Sequence, residues 1–419
     1  MRILLAVGTR PEIIKMSPVL KALKGKADVV FVHSGQHYDA KLSGAFFSAL
    51  SLPEPDENLE VGSGSQAEQT SAALIGFERL LKKYRPDIAC VQGDTNTALA
   101  CALASVKIGI PVAHIEAGIR SFDRRMPEEI NRILIDACSE LLFAPTEAAA
   151  LNLIFEGIPR KKISITGNTI SDACTENILR APVCEEKEFC ILTTHRPENT
   201  DSGENIEALI SLIEKIQLRV IFPAHPRFIA KAKESGLLER LEACRNLELR
   251  EPAGYLEFLS LLKGARFALT DSGGVQEEAL LLGTPCLTLR KNTERPETVE
   301  TGGNFLVGLD SRLALEYIKR ILTDPAFEKK MRSAKSPYGK NVGRKIADIL
   351  LGSLERGISV RSSDFIKKPY PLVQLRSGIE GKVQDLEKKG AIMAIFQDKA
   401  VFPEDGKDIK KKDCILFRE

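Results

Sequence analysis

The stretch FALTDSGGVQEEALLLGTPCLTL, residues 267–289, contains a complete strand–helix–strand unit. The apolar run Phe267–Thr270 predicts a buried strand, and the Asp-Ser-Gly-Gly that follows predicts a turn. We expect a helix at Val275–Leu282, which Gly283 ends, and then a second strand at Cys286–Leu289. Two strands joined by a helix are the repeating unit of a parallel sheet, so this stretch indicates an α/β fold.

The same alternation of apolar runs and amphipathic stretches extends through most of the chain. Further candidate strands are Ile3–Val7, Val29–His33, Ile88–Gln92, Val112–Ile115, Leu141–Ala144, Ile163–Thr166, Cys190–Thr194, Arg219–Pro223 and Leu247–Leu249. Because helical patterns separate these runs, we predict an α/β protein of two Rossmann-like domains that face each other across a cleft.

A Pro-containing, charged segment after Leu179 marks the predicted domain boundary. We expect an N-terminal Rossmann-like domain at 1–180, to which a return helix at 342–356 also belongs, and a C-terminal one at 181–341. The tail at 361–419 is Lys-rich and carries the strand-like runs Ala391–Phe396 and Cys414–Phe417. It predicts a small β-containing module of unknown role.

Composition excludes several classes of partner. A net charge of +2 implies no global attraction to nucleic acid or to membrane surfaces, and the chain contains no Trp for stacking bases. Its nine cysteines are scattered without a Cys-x-x-Cys pair, which is typical of a reducing cytosol. The chain begins directly with a strand-like run and has no apolar stretch of membrane-spanning length. We therefore expect a cytoplasmic protein.

Two strand ends carry the features of an anion site. After the first strand, Gly8 permits a tight turn, and Arg10 and Lys15 place two cations beside a helix start. In the opening stretch, Ser272 suits a helix N-cap, and Gly273 and Gly274 let a diphosphate approach the backbone N–H groups. No Gly-x-Gly-x-x-Gly follows the first strand, so nicotinamide binding loses its main support.

Glu277 and Glu278 follow in what we expect to be the first helical turn. One could complement the helix dipole and the other could bind ribose hydroxyls. Arg295 comes after the next strand, near the same cleft.

Acid–base candidates also stand at strand ends. Asp94, Glu116 and Glu128 all fall at the expected C-terminal edge of the first sheet, where a buried carboxylate must be paired or used. His195 closes an apolar run of the second half, as His114 and His225 close others. Glu128 and Arg132 are four residues apart, so we expect them to share a helix face.

Other chemistries have less support. For Glu129, Arg124 and Arg125 we prefer a loop ion-pair network to a catalytic role. No pair of histidines has metal-ligand spacing, and no Gly-x-Ser-x-Gly elbow follows a strand, so we expect neither a metal nor a serine hydrolase.

Six motifs, taken in order, resemble one family. GTRPEIIKMSPV (8–19), VQGDTNT (91–97), HIEAGIRSFDRRMPEEINR (114–132), GNTISDA (167–173), THRPEN (194–199) and the stretch at 269–297 are similar to those of the non-hydrolysing UDP-N-acetylglucosamine 2-epimerases. The resemblance covers roughly residues 1–357. It implies the two-domain GT-B fold of B-type glycosyltransferases and interconversion of UDP-GlcNAc and UDP-ManNAc without metal or nicotinamide cofactor.

The resemblance also implies roles for individual residues. Arg10, His195 and the helix start at Ser272, Gly273 and Gly274 would surround the diphosphate, with Lys15 close by. Glu278 would bind the ribose, Phe258 would pack near the uracil, and Arg295 would contribute to substrate binding. Asp94, Glu116 and Glu128, with His195, are the catalytic candidates, and which carboxylate serves which face of the sugar stays open. A homodimer and a part in cell-surface polysaccharide biosynthesis are implied as well.

Two departures from the family pattern are visible. Gln36-His37-Tyr38-Asp39 differs from the Gln-His-Arg of bacterial members that a second UDP-GlcNAc activates. The tail after Arg361 exceeds the usual length and faintly resembles the terminal ligand-binding module of potassium-channel regulators.

Alternatives stay open beside the leading hypothesis. They are a UDP-sugar glycosyltransferase, a hydrolysing epimerase that releases ManNAc and UDP, an epimerase of a related UDP-N-acetylhexosamine, and a non-catalytic nucleotide-sugar sensor.

Overall fold

The computed structural model describes residues 1–35, 40–186 and 188–358, and in the tail only short backbone segments. For 40–43, 45, 197 and 198 it describes the backbone alone. The departure at 36–39 lies outside the described residues, as does most of the predicted tail module.

A parallel sheet forms the core of the first domain. Its strands are β1 (Arg2–Val7), β2 (Asp28–His33), β3 (Glu57–Asn58), β4 (Ile88–Gln92), β5 (Val112–Ile115), β6 (Leu141–Ala144) and β7 (Ile163–Ile165). They lie in the order β3-β2-β1-β4-β5-β6-β7. Successive residues of β1 are buried on opposite faces, Ile3 and Leu5 in one cluster and Leu4 and Ala6 in another. A strand buried on both faces has to be apolar throughout, which explains the uninterrupted apolar run.

Helices cover both faces of this sheet. They are α1 (Arg10–Leu23), α2 (Ala40–Ala49), α3 (Gln66–Tyr84), α4 (Asn96–Lys107), α5 (Pro127–Cys138), α6 (Glu147–Phe155) and α7 (Ile170–Ile178). A capping box in which Thr9 and Glu12 satisfy each other's backbone N–H groups starts α1 at Arg10. The end of β1 is thereby joined directly to a helix N-terminus.

The second domain repeats this plan with a smaller parallel sheet. Its strands are β8 (Phe189–Thr193), β9 (Arg219–Pro223), β10 (Leu247–Arg250), β11 (Ala268–Thr270), β12 (Cys286–Thr288) and β13 (Asn304–Leu306). They lie in the order β10-β9-β8-β11-β12-β13. In both sheets the order reverses beside the first strand, β1 or β8, and open α/β sheets bind ligands at such switch points.

The helices of the second domain are α8 (Pro197–Thr200), α9 (Gly203–Ile213), α10 (Pro226–Glu234), α11 (Leu238–Glu242), α12 (Tyr255–Gly264), α13 (Gly273–Leu282), α14 (Pro296–Glu300), α15 (Ser311–Thr323) and α16 (Pro325–Arg332). The predicted α/β class with two facing Rossmann-like domains is confirmed by these two parallel sheets.

The chain then returns to the first domain. Helix α17 (Val342–Glu355) packs on α1, and Val342, Ile346 and Leu350 are fully buried in the first domain's core. A Cβ at position 343 would meet backbone and side-chain atoms of Pro18 at 2.6 Å, so glycine permits this close approach.

The described tail segments are strands of a different type. They are β14 (Val373–Ser377), β15 (Gly381–Lys382), β16 (Ala391–Phe396), β17 (Lys399–Val401), β18 (Asp408–Ile409) and β19 (Cys414–Arg418). Four of them form a sheet in the order β14-β19-β16-β17, and each pairing is antiparallel. Among the described residues, no helix is both long enough and apolar enough for a membrane crossing.

Candidate active site

The catalytic candidates of the first domain follow neighbouring strands. Asp94 comes two residues after β4, and Glu116 comes directly after β5. The two strands pair in parallel with Gln92 opposite Ile115. This register brings both carboxylates to the same edge of the sheet.

Glu116 is buried among cationic and amide donors. Its Oε1 lies 2.6 Å from Nζ of Lys15 and 2.5 Å from Nη2 of Arg295, and Gln92 donates to Oε2. Burial alone would raise the pKa of this carboxyl, but the charges of Lys15 and Arg295 outweigh it and hold the pKa below its usual value. Glu116 is therefore ionised at neutral pH and able to accept a proton.

The backbone at Glu116 is strained. Its φ of 73° is left-handed, and the N–H groups of Glu116 and Ala117 both donate to the carbonyl of Phe143 at 3.1 Å. Next to it, Gly118 has a φ of 80°, and a Cβ there would lie 2.1 Å from the carbonyl oxygen of Ala149. Such strain in a non-glycine residue is concentrated at functional positions.

Asp94 is held by a cation from α5 and remains accessible. Nη2 of Arg132 lies 2.6 Å from its Oδ2, and the Asp94 side chain keeps 31% of its surface exposed. The amide of Asn131 donates to the Asp94 backbone carbonyl at 2.9 Å. The carboxylate is thus fixed in position without being shielded from a ligand.

Glu128 and Arg132 lie one turn apart on α5, but their side chains do not pair with each other. Arg132 Nε donates at 3.2 Å to the backbone carbonyl of Glu128, while the guanidinium contacts the carboxylates of Asp94 and, at 3.2 Å, Glu129. The Glu128 side chain is half-buried. Its negative charge and that of Asp94 both raise the pKa of Arg196 in the second domain. Asp94 and Glu128 therefore face the same cation across the domain boundary.

Glu129 and Arg125, two of the three residues expected to form an ion-pair network, make ion pairs with Arg132 and Asp123. Glu129 accepts hydrogen bonds from the backbone N–H groups of Ser121 at 2.9 Å and Phe122 at 3.0 Å. Arg125 pairs with Asp123 at 2.7 Å. Glu129 thus orders the loop that carries the chain from Glu116 to Glu128.

On the second domain, His195 is oriented by a buried carboxylate. Its Nδ1 lies 3.1 Å from Oδ1 of Asp271, and its side chain is 51% exposed. Burial would raise the pKa of Asp271, but the contacts with His195 and Thr194 outweigh it and lower the pKa to about 2. A carboxylate at Nδ1 sets the orientation of the ring and makes Nε2 the nitrogen available to a ligand.

The other two histidines at strand ends are structural. His114 is fully buried, with Nδ1 at 2.6 Å from Asp136 and Nε2 at 2.8 Å from the carbonyl of Gly93. His225 caps α10 by accepting from the N–H of Arg227 at 3.2 Å.

Helix α13 begins two residues earlier than the sequence predicted. Gly273 is its first residue, so Glu277 and Glu278 lie in the second turn, and the helix-dipole role considered for one of them is wrong. Ser272 occupies the N-cap position, but its side chain makes no capping hydrogen bond. A Cβ at position 274 would have only the Ser272 hydroxyl nearby, at 3.9 Å, so the backbone at Gly274 is open to a close approach.

Glu278 is buried beneath this helix start, at 6% exposure. Burial raises the pKa of its carboxyl to about 7. Phe258, half-buried on α12, packs against the same apolar cluster as Val275 of α13. The predicted ribose and uracil contacts are therefore on adjacent helices.

Glu277 is the main residue whose role the sequence analysis did not identify. It is fully buried, and its carboxylate lies 2.8 Å from Nζ of Lys15 and 2.5 Å from Nε of Arg295. Asn168 of the first domain also donates to it at 2.7 Å. Glu277 thus links the two domains beside Glu116.

Glu12 was also missed, although its position three residues after Thr9 is a capping-box signal. It accepts from the N–H groups of Gly8 and Thr9 at 2.8 Å and from the Thr95 hydroxyl at 2.6 Å. Burial raises the pKa of Glu12 to about 7. It connects the turn before α1 with the turn that carries Asp94.

Arg10, another predicted site residue, takes part in none of the contacts described above. Its side chain is exposed, and its guanidinium lies 5.6 Å from the centre of the Phe46 ring. Within the described residues, no group of three or more His, Cys, Asp or Glu side chains could hold a metal ion.

Comparison with known proteins identifies the family of the chain. The family model described as UDP-N-acetylglucosamine 2-epimerase matches residues 21–351. A UDP-N-acetylglucosamine 2-epimerase of Methanococcus maripaludis is 47% identical over 362 residues, which cover 83% of this chain and 97% of that relative. A Pseudomonas aeruginosa UDP-2,3-diacetamido-2,3-dideoxy-D-glucuronate 2-epimerase is 41% identical, over 75% of this chain and 91% of its own length.

A solved structure shows the same fold. The crystal structure of Methanocaldococcus jannaschii UDP-GlcNAc 2-epimerase in complex with UDP-GlcNAc and UDP is similar with a TM-score of 0.78 and 46% identity. The match covers 84% of this chain and 99% of that one. The family match ends before the tail, which is an addition to the shared fold. The chain therefore belongs to the UDP-N-acetylglucosamine 2-epimerase family.

Proposed function

We propose that the protein interconverts UDP-GlcNAc and UDP-ManNAc by elimination and re-addition of UDP. A base removes the proton from C2 of the sugar while the C1–O bond to UDP breaks, on opposite faces, which gives a 2-acetamidoglucal. A proton is then delivered to C2 from the other face, and the diphosphate oxygen of UDP re-forms the bond at C1. Because the UDP that leaves C1 is joined to the same sugar again, the reaction is an isomerisation and consumes no second substrate.

One observation carries the proposal: the carboxylate candidates stand at the strand ends of one domain, and a histidine and a helix N-terminus stand at those of the other. Asp94 and Glu116 stand at the strand ends of the first domain. His195 and the helix start at Gly273 stand at those of the second. A sugar diphosphate held between them would place its C2 toward the carboxylates and its leaving group toward a helix N-terminus. That is the polarity that an elimination requires.

Further roles follow by similarity to the family. We assign Arg10, Ser272 and Gly274 to the diphosphate, with Lys15 and Arg295 beside them. Glu278 would accept hydrogen bonds from the ribose hydroxyls, and Phe258 would pack near the uracil. We take Glu116 as the first base candidate because it is buried at the sheet edge in a strained backbone conformation, while Asp94 and Glu128 would serve the other proton transfers.

Proton NMR of UDP-GlcNAc turnover in D2O tests the reaction. We expect deuterium to enter at C2 and UDP-ManNAc to accumulate without an added acceptor. Free ManNAc with stoichiometric UDP would indicate a hydrolysing enzyme instead. Exchange that needs an acceptor would indicate a glycosyltransferase, and binding without any exchange would indicate a sensor.

A related UDP-N-acetylhexosamine is the second candidate substrate. The similarity to the Pseudomonas aeruginosa enzyme, which is named for a diacetamido glucuronate, supports it. Parallel turnover assays with both nucleotide sugars discriminate, and the preferred substrate is the one with the higher kcat/KM.

We also propose the cellular setting by similarity to the family. The protein would act in the cytoplasm as a homodimer and supply a nucleotide sugar for cell-surface polysaccharide biosynthesis. Light scattering of the purified chain tests the dimer directly.

A further inference from the structure

Four buried charges form a square across the domain boundary. We call Lys15, Glu116, Arg295 and Glu277 the charge square, since each cation contacts both carboxylates at 2.5–2.8 Å. Their side chains are between 0% and 9% exposed. Lys15 and Glu116 come from the first domain, and Glu277 and Arg295 from the second.

The square can divide into two neutral pairs. If the domains separate, Lys15 keeps Glu116 and Arg295 keeps Glu277, because each of these pairs lies within one domain. Only the two cross-domain contacts, Lys15 with Glu277 and Arg295 with Glu116, are lost. Opening therefore leaves no unpaired charge, which would be unfavourable next to apolar surroundings.

Within the closed square, Glu277 balances the cations that act on Glu116. Without its carboxylate, Lys15 and Arg295 would both be neutralised by Glu116 alone, and one positive charge would be left buried. Asn168 holds Glu277 in place from the first domain through a 2.7 Å hydrogen bond, so the balance depends on domain closure.

We propose that Glu277 is a positioning residue for the epimerase reaction. It shares Lys15 and Arg295 with Glu116 in the closed state, and so keeps Glu116 basic enough to take the C2 proton. Glu277 acts through these two cations and touches neither the sugar nor the diphosphate in this role. The inference rests on the proposed function and deepens it.

Other charged groups face the square and stay in place in the experiment. Arg132 of α5 acts on Glu116, and Glu278, Glu294, Glu297 and Tyr338 act on Glu277 or on Arg295. Because each of them is common to all variants compared below, only the charge of the square changes.

The test is the pH profile of kcat/KM in full-length Glu277→Gln. A general base works only when ionised, so the rate falls as pH drops through its pKa. Removing the negative neighbour favours ionised Glu116 further, and the acidic limb should move to lower pH by about one unit. A weaker base is also a slower one, so we expect kcat to fall by up to about tenfold.

Two further variants isolate charge from structure. Glu277→Asp keeps the charge, and its acidic limb should stay at the wild-type position. Glu277→Gln combined with Arg295→Gln restores a neutral Lys15–Glu116 pair, and its limb should return toward the wild-type position even if substrate affinity is lower. Glu257→Gln, an exposed glutamate on α12, is the matched control and should leave the limb unchanged.

Each outcome is decisive. The inference is overturned if the acidic limb of the kcat/KM profile does not move in Glu277→Gln, which is the result expected if Glu277 is protonated in the wild-type protein. It is also overturned if the acidic limb moves in Glu277→Asp. If the single variant fails to fold by circular dichroism, the double variant must fold, and its failure also overturns the proposal. Absence of C2 exchange in the wild-type protein would instead refute the proposed function itself.

Discussion

The two faces of the cleft carry different groups: carboxylates on the first domain, and a histidine and a helix N-terminus on the second. In the first domain, the carboxylates of Asp94 and Glu116 end at the cleft, and cations hold them there. In the second domain, the buried carboxylate of Asp271 points inward and gathers donors, so that a histidine and a glycine-led helix start are presented instead. The same strand–turn–helix plan thus presents carboxylates on one side and a histidine with a helix N-terminus on the other.

The largest effect is expected when the carboxylates of the first domain are neutralised one at a time. Asp94→Asn, Glu116→Gln or Glu128→Gln should each lower turnover by at least about a hundredfold, because positioned acid–base groups contribute on that scale. In Asp94→Asn and Glu128→Gln, UDP affinity should stay within about twofold, since separate sites are coupled by less than ~0.5 kcal/mol. NMR exchange in D2O and calorimetry with UDP measure the two quantities.

The contrary result is simple to recognise. Near-normal turnover in all three variants would refute the assignment of acid–base chemistry to the first domain. A large loss of UDP affinity in each of them would show that UDP binding depends on these first-domain carboxylates as well.

Neutralising the second face should have the opposite signature. Asp271 accepts from the Thr194 hydroxyl at 2.6 Å, from the N–H of Arg196 at 3.0 Å and from the amide of Asn199 at 3.1 Å. In Asp271→Asn the amide oxygen can keep these three bonds, but an amide nitrogen in place of Oδ1 cannot accept from the N–H of His195 or pair with its Nδ1, so His195 should shift. We expect UDP affinity to fall about tenfold, the loss associated with one charge-assisted hydrogen bond.

Asp310→Asn is the control for this variant. Asp310 caps α15 by accepting from the N–H groups of Arg312 and Leu313. Its replacement should change stability little, because Asn and Asp cap helices about equally well, and should leave UDP binding unchanged. Unaltered UDP affinity in Asp271→Asn, measured by calorimetry, would contradict the role given to the second face.

The sequence predicted the two faces better than the contact between them. Strands buried on both sides must be apolar throughout, so β1, β4 and β5 were visible as uninterrupted runs, and the polar residues after them marked the sheet edge. The two-residue strand β3 (Glu57–Asn58) is polar and carries no such signal.

Long-range contacts account for what was missed. Glu277 meets Asn168, 109 residues away in sequence, and Arg295 meets Glu116, 179 residues away. A helical periodicity shows which face of α13 is buried but not which side chains of the other domain it meets. The start of α13 at Gly273 was missed for a related reason, since glycine is a poor helix former and only tertiary structure holds it in the helix.

The smallest expected effect concerns the pH dependence of binding at the second face. The pKa of Glu278 is raised by burial to about 7, so its carboxylate is only partly ionised at neutral pH. The ionised form accepts two hydrogen bonds from a ribose, and the neutral form accepts fewer. The affinity for UDP-GlcNAc should therefore fall by about three- to tenfold as pH decreases from 8 to 6. The upper limit is about tenfold because the ionised fraction of a group with a pKa of about 7 falls by that factor over this range.

Glu278→Gln isolates this effect, because an amide does not titrate. Binding is measured in a Glu116→Gln background, where turnover is slow, and with UDP-GlcNAc, whose diphosphate has no terminal phosphate to titrate in this range. The variant should bind more weakly than its parent at pH 8, and its affinity should be nearly independent of pH from 6 to 8. A persistent pH dependence in Glu278→Gln would assign the titration to another group, with His195 as the first to test. It would also remove Glu278 from the ribose site and leave the second face defined by the helix start and Asp271 alone.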